Sequence, residues 1–429
     1  MNIIFPKRFT AVLGFRMSTP LKTAFAVLLA VSFTARSQPV IMPSPSYPVT
    51  PPAVQEIESN NVITVFNPEA DLPGHGQETQ PFKYGIFTFR PHPYYRFLYG
   101  SGILANPGQP ESTIVNQVSP GVLLEIGNHW TLDYTPTWSV YSSSHFDNTL
   151  DHVVTLTGGT AYENWTLGLV QTVAITSDPR VETATQTTQD AFITAIEATC
   201  QINSKMSTDL NLRQNIISAD QFSSSSTWST LDWLDYQFWP RFSAGIGAGF
   251  GYVDVESNPD NAYEQIQGRA SWRATDKISF QLSAGAEYTQ FISSTNNLWN
   301  FIFGAVVQYQ PFEHTKLLLN AGSTVSPSYY AGATENTEVS GDLNQRLLGK
   351  LYLDVQGDYH VAKYQNSSSA LSGSSNREDD FYSVNVQLSY PFARRGKVAV
   401  FYQYSDNSSS DAGFSYSSNQ VGFQISFAY

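Results

Sequence analysis

Eleven titratable residues stand at alternate positions within stretches that otherwise mix apolar and small polar side chains. They are Asp133, Asp209, Arg213, Arg269, Arg273, Glu287, Asp342, Arg346, Asp354, Asp358 and His360. Carboxylates on some segments and guanidinium groups on others can set a field across a water-filled passage and sort what enters by charge and size. The same charges could equally do no more than solvate a wet surface and pair with one another, and both readings stay open. Acid–base catalysis finds less support. The seven histidines (His75, His92, His129, His145, His152, His314 and His360) are scattered, and no G-x-S-x-G, H-E-x-x-H or P-loop pattern occurs. His145 and His152, with Asp147 and Asp151, flank one polar connection, where a rim-sited hydrolase would carry its pair; isolated His and Asp residues in such places are usually just solvated. Asp254, Glu256, Asp260 and Glu264, and the run Glu378–Asp380, offer oxygen ligands of the kind hard cations take. Their spacing matches no metal loop. No metal and no cofactor is expected, and the single cysteine, Cys200, leaves no intramolecular disulfide and no cysteine-based zinc site.

The stretches that carry these residues have a period of two. Trp130, Leu132, Tyr134, Trp138 and Val140 share one parity, with Thr131, Asp133, Thr135, Thr137 and Ser139 on the other. Phe242, Ala244, Ile246, Ala248, Phe250 and Tyr252 repeat the pattern, as do Trp299 through Tyr309 and Tyr382 through Tyr390. A strand sends successive side chains to opposite faces, so each segment is half apolar and half wet; a helical stripe would have period 3.6. The last nine residues follow suit, with Val421, Phe423, Ile425, Phe427 and Tyr429 alternating with Gly422, Gln424, Ser426 and Ala428. That strand is expected to close a barrel, and its terminal aromatic is the kind of signal that barrel-insertion machinery reads.

Composition agrees. Over 429 residues, hydrophobic residues make up 41%, aromatic residues 14% and charged residues only 14%, against about 25% charged in a typical soluble domain. No apolar run reaches the roughly 18 residues of a membrane-spanning helix. The formal charge of −13 would repel nucleic acid, so nucleic-acid binding is set aside. At the start, Lys7, Arg8, Arg16 and Lys22 precede the apolar Ala24–Phe33 and the small-residue site Ala35-Arg36-Ser37. Residues 1–37 therefore read as an export signal, with Met17 an alternative start. Residues 38–86, rich in Pro in their first part, read as a disordered periplasmic segment, and residues 87–429 as the folded part.

Short links (Gly127-Asn128, Glu163-Asn164, Asn203-Ser204, Trp239-Pro240, Thr275-Asp276, Phe312-Glu313, Gly349-Lys350 and Arg394-Arg395-Gly396) alternate with longer polar connections. The longer ones are 105–112, 142–150, 177–189, 219–226, 255–261, 291–297, 326–336, 365–379 and 405–417, and 177–189 and 365–379 are the candidates to fold inward. This asymmetry is that of an all-β, up-and-down antiparallel transmembrane barrel with short periplasmic turns and long extracellular loops. The count comes to roughly eighteen strands, or sixteen if the ambiguous stretches near 227–239 and 313–325 do not span. An even number puts both termini on the periplasmic side of a bacterial outer membrane. The partners expected are outer-membrane lipid, the insertion machinery and small hydrophilic solutes; nothing specifies an oligomeric state.

Three motifs add a resemblance. Arg90-Pro-His-Pro-Tyr-Tyr-Arg-Phe-Leu-Tyr-Gly100 is followed by Val118-Ser-Pro-Gly-Val-Leu-Leu-Glu-Ile-Gly127 and then by Leu132-Asp-Tyr-Thr-Pro136. Over residues 87–180 this order resembles the "putative β-barrel porin 2" family of bacterial outer-membrane proteins. It departs where Ser101–Asn106 replaces the family's Asp-Asn pair. The resemblance implies an outer-membrane barrel with pore activity, in some members associated with exopolysaccharide export, and brings no catalytic residues. The leading expectation is passive diffusion of small hydrophilic solutes, weakly favouring cations. Polymer export, or a closed structural or adhesive barrel, are the alternatives.

Overall fold

The computed structural model describes residues 82–428 except 221, 257–258, 293–296, 329–332 and 366–376. The export-signal reading, most of the Pro-rich segment and Tyr429 lie outside the described residues. The described strands, in chain order, are β1 (Phe82–Tyr84), β2 (Phe87–Asn106), β3 (Gln109–Ile126), β4 (Trp130–Tyr141), β5 (Thr149–Tyr162), β6 (Trp165–Thr176), β7 (Pro179–Arg180), β8 (Thr185–Gln186), β9 (Gln189–Gln201), β10 (Met206–Ala219) and β11 (Ser225–Trp239). They continue with β12 (Phe242–Val255), β13 (Asn261–Arg273), β14 (Ile278–Phe291), β15 (Leu298–Phe312), β16 (Thr315–Ser326), β17 (Ala333–Arg346), β18 (Tyr352–Gln365), β19 (Glu378–Phe392), β20 (Gly396–Ser409) and β21 (Tyr416–Phe427). Apart from β1 and the small β7–β8 pair, they make a closed antiparallel barrel of 18 strands. Contacts divide the chain into two compact units; of the smaller, Ala161–Glu163 are described, the end of β5 and a turn residue at φ 53°, and the barrel is the larger.

Closure is made by β2 and β21, whose register sets Tyr95 against Ile425, Phe97 against Phe423 and Tyr99 against Val421. The Phe97 and Phe423 rings stack with centroids 5.5 Å apart on the outer face of this seam. Gly422 makes the approach possible, because a Cβ there would sit 2.1 Å from the Phe97 carbonyl oxygen. Among the described residues β1 falls inside the segment expected to be disordered, pairing Phe82–Tyr84 with Phe89–Phe87.

The parity seen in the sequence becomes two surfaces. Ile246 and Ile266 are each 68% exposed and Phe301 is 65% exposed, whereas Ser119, Ser139, Asn300, Ser383, Ser389, Gln403 and Asn407, on the opposite parity, are buried. An apolar belt of this extent is not sustainable in water and is what the hydrocarbon of a membrane accepts. The polar parity therefore faces inward. The two ambiguous stretches are full strands, β11 and β16, which gives eighteen rather than sixteen. One connection differs from expectation. The stretch 105–112 is not a long loop: β2 and β3, 20 and 18 residues long, run on to a tight turn at Pro107-Gly108. Gly108, at φ 71°, supplies the left-handed conformation that turn requires.

Ile266 lies midway along β13 on the outer face, so Ile266→Arg is expected to cost ~2–4 kcal/mol at mid-membrane. Gln267→Arg, one residue on and facing inward, should cost far less. Equilibrium unfolding from lipid vesicles measures both, and equal losses would contradict the assigned faces.

Candidate functional site

The connection between β6 and β9, residues 177–188, has the burial of a protein interior. Asp178, Arg180, Val181, Thr183, Ala184 and Thr187 are all buried, Thr183 and Ala184 completely. Its sequence explains how a loop can be buried, since the run Thr183-Ala-Thr-Gln-Thr-Thr188 brings its own hydrogen-bonding groups. The Thr183 hydroxyl lies 3.0 Å from that of Thr187 and donates to the Thr185 carbonyl at 3.2 Å. The Thr187 hydroxyl donates to the same carbonyl at 3.3 Å. The Thr185 carbonyl is thus satisfied by short side chains rather than by a neighbouring strand alone. A small ladder, Pro179–Arg180 against Gln186–Thr185, stiffens the loop.

At its base the loop is tied to the wall it leaves, with the Ser177 N–H donating to Asp151 Oδ1 (2.9 Å) and Arg180 donating to the Thr176 hydroxyl (3.2 Å). Its tip reaches other parts of the ring. Thr185 donates to the Ala105 carbonyl of β2 (3.1 Å), and Ala184 packs against Leu104 and Phe414. Ser328, in the connection from β16 to β17, donates to Glu182 Oε1 at 2.6 Å, and Arg377 Nη1 donates to the Glu182 carbonyl at 2.9 Å. β6 and β17 are the fifth and fourteenth of the eighteen barrel strands, so the loop crosses the lumen to the opposite wall. Against β2, β3, β20 and β21 it leaves a cavity of about 30 Å³ beside Arg96, Gln117, Tyr141, Asp178, Gln403 and Gln420. That is space for little more than a water molecule.

Arg377 is the anchor of the far end. Its guanidinium pairs with Asp379, their side chains 5% and 2% exposed, and lies over the rings of Phe414 (3.6 Å) and Tyr364 (4.6 Å). Burial by itself would lower the arginine pKa. Hydrogen bonds to Asp379, together with the charges of Tyr364, Asp379 and Glu182, outweigh burial and hold it above the ordinary arginine value.

All eleven residues singled out from the sequence stand on the inward parity of their strands. Arg269 brings two of them together, pairing with Asp209 and also with Asp235, while its guanidinium lies 4.5 Å over the Trp233 ring. Arg213, on the same wall, has Ala195 of β9 beside it in register, next to Glu197. Asp342, Asp354 and Asp358 gather with Glu338 on β17 and β18, where Asn344 donates to Asp354 and Ser383 to Asp358. Among the described residues no ion pair involves Glu338, Asp342 or Asp358. Asp133 meets His92 Nε2 at 3.0 Å, and His360 packs on Phe381. The remaining residues stand apart: Glu287 accepts from Thr289 (3.2 Å), while Arg273 and Arg346 sit at the rim of short turns, Arg346 beside His314 (3.3 Å).

Inward residues that the sequence reading left out include Arg90 (2.6 Å from Glu125), His92 and Arg96, whose guanidinium lies 4.4 Å over Phe401. Their signal was present, since all three share one parity of the strand that begins at Phe87. Glu182 had no such signal, because its partners Ser328 and Arg377 are distant in the chain, and Asp379 was weighed only within the acidic run Glu378–Asp380. Of the four residues weighed as a rim-sited hydrolase (His145, Asp147, Asp151 and His152), Asp151 and His152 are adjacent on one strand and so face opposite sides. Asp151 holds the loop, and His152 Nδ1 meets the Tyr134 hydroxyl at 2.9 Å on the outer face.

Residues 260–429 match the family described as "Putative beta-barrel porin 2". This is the family resembled by the motifs of 87–180, although the matched residues are the C-terminal ones. No curated protein matches. Among solved structures the chain is similar to Acinetobacter baumannii OccAB3, at 8% identity and TM-score 0.44, covering 80% of this chain and 99% of that one. It is also similar to Pseudomonas aeruginosa OccK2 (OpdF), crystallised with glucuronate, at 11% identity and TM-score 0.46, covering 81% and 100%. Pseudomonas aeruginosa OpdL stands at 12% and 0.42, covering 80% and 98%.

Arg377→Ala would leave Asp379 buried without its partner, a loss of about 3–5 kcal/mol for such pairs, and would free the tip of the loop. Trypsin, which cuts after arginine, should spare the buried Arg180 in the parent protein and cleave there in the variant. Equal resistance in both would show that Arg377 does not hold the loop.

Proposed function

We propose that the chain is an outer-membrane porin through which small hydrophilic solutes diffuse passively, its outer mouth narrowed by residues 177–188. The observation that carries this reading is the pairing of an apolar outer belt with an inward parity of charges, amides and hydroxyls in a ring of 18 strands. Rings of this size are wide enough to hold an aqueous channel. The short-turn rim and both termini face the periplasm, and the insertion machinery reads the β21 end. With the loop lying against β2, β3, β20 and β21, the open path runs along the wall from β9 to β18. Permeants there pass the Asp209–Arg269–Asp235 group on one side and the carboxylates of β17 and β18 on the other. Glu338, Asp342 and Asp358, which make no ion pair among the described residues, bias the field toward cations. Polymer export is the weaker alternative, because the buried loop stands across the route a polymer would take.

Purified protein in planar bilayers should show discrete conductance steps, and liposomes containing it should swell in small sugars. Bilayers that stay silent and liposomes that stay impermeable would sink the proposal. In a salt gradient the reversal potential should report cation preference, and Asp342→Asn with Asp358→Asn should shift it toward anions. Anion preference in the parent protein, or no shift in the variant, would contradict the part given to β17 and β18.

A further inference from the structure

Although the chain carries a formal charge of −13, its short-turn rim is basic. The turns hold Lys205, Arg241, Lys277, Lys350, Arg394 and Arg395, and all but the half-buried Arg395 are exposed. The acids of the same turns are Glu163, Asp276 and Glu313, and Asp276 is already taken by Arg241 at 3.0 Å. Among the described residues Lys205, Lys350 and Arg394 make no ion pair. The other rim has the opposite sign, with Asp147, Asp220, Asp254, Glu256 and Asp260 on its connections and strand ends.

The N-terminal part of the chain joins the ring at the basic rim. β1 pairs Phe82–Tyr84 with Phe89–Phe87, whose other edge is taken by β3. β1 therefore lies on the edge that β21 occupies higher up, where Ser426 stands opposite Tyr94. It continues the line of β21, whose Ala428 N–H donates to the Arg395 carbonyl at 3.0 Å. The chain thus reaches Phe82 beside the turn that carries Arg394 and Arg395.

We propose that residues 48–81 dock along this rim, their carboxylates against its lysine and arginine side chains. Between Pro48 and Pro81 the sequence has Glu56, Glu58, Glu69, Asp71 and Glu78, and no lysine or arginine. Sign and position therefore match: an acidic stretch is tethered to a basic rim inside an otherwise acidic protein. Reach is sufficient, since the stretch can span up to about 110 Å when extended. Strands about 4.8 Å apart and tilted by about 40° make the 18-strand ring roughly 35 Å across. The tether holds the local concentration of these carboxylates on the order of millimolar, which favours them over an untethered acidic partner. Docked there, they cancel positive charge that would otherwise oppose cations leaving the passage. That consequence rests on the porin reading; the docking itself does not.

The test uses the full-length chain expressed into outer membranes and a carbodiimide, which condenses a carboxylate with a lysine amine in salt-bridge contact and takes up the water released. Mass spectrometry of the digested monomer should find Glu56, Glu58, Glu69, Asp71 or Glu78 joined to Lys205, Lys277 or Lys350. The yield should fall at least about fivefold in roughly 1 M salt, where attraction is screened within about 3 Å. Links to aminophospholipid, links to a different protein, or none to the rim would each overturn the proposal. A second measurement needs no coupling reagent. A glutamate-specific protease should cut after Glu56, Glu58, Glu69 and Glu78 several-fold faster in the combined variant Lys205→Gln, Lys350→Gln and Arg394→Gln than in the parent protein. Equal rates, with the heat-modifiable gel mobility of a folded barrel in both, would also overturn it. Neither measurement reads conductance, so failure of the porin reading would leave this test standing.

Discussion

Hydrocarbon offers a backbone no hydrogen bonds, and the rest of this structure depends on that constraint. A sheet placed there must leave no edge, and the chain meets the requirement by bringing its last strand back to its first long one, β21 onto β2. The seam depends on a particular residue choice, because Gly422 lets the strands approach where any Cβ would strike the Phe97 carbonyl. Once the ring is closed, the period of two assigns every side chain to lipid or to lumen. The apolar belt and the charged interior are then two consequences of one geometry.

A closed ring of this size is by default an open hole, and what the hole admits is decided by what enters it. Here a loop enters, its Thr185 carbonyl taken by the Thr183 and Thr187 hydroxyls. It is held at its base by Asp151 and at its tip by Ser328 and the Arg377–Asp379 pair. The loop packs against Leu104, Ala105 and Phe414 and leaves a cavity of about 30 Å³ beside Arg96 and Asp178.

Much of the fold was legible because parity is a strictly local signal. β12, β15 and β19 alternate so cleanly that their faces follow from the residues themselves. β16 was harder to read because Leu317, Leu318 and Leu319 put apolar side chains on both faces, and β11 because Trp228 and Trp233 face opposite ways with Asp232 outward. The residues 105–112 look like a loop because Pro107, Gly108 and Pro110 are turn formers, yet only Pro107-Gly108 turns and the flanking residues stay in register. Inward placement of the eleven charged residues followed from the same parity. The inward loop was legible only as one of two candidates, since its holding partners, Ala105, Ser328 and Arg377, come from parts of the chain that no local pattern connects.

The central claim is that the polar parity lines a water-filled passage, and alternate-residue labelling along one strand tests it most directly. With Cys200 replaced, single cysteines from Gln265 to Ser271 on β13, whose inward residues are only half-buried, would be exposed, in bilayers, to a charged thiol reagent that cannot enter lipid. Cysteines at 265, 267 and 271 should react and change the single-channel conductance, while those at 266, 268 and 270 should do neither. Reaction at every position, at none, or on the opposite parity would contradict the account.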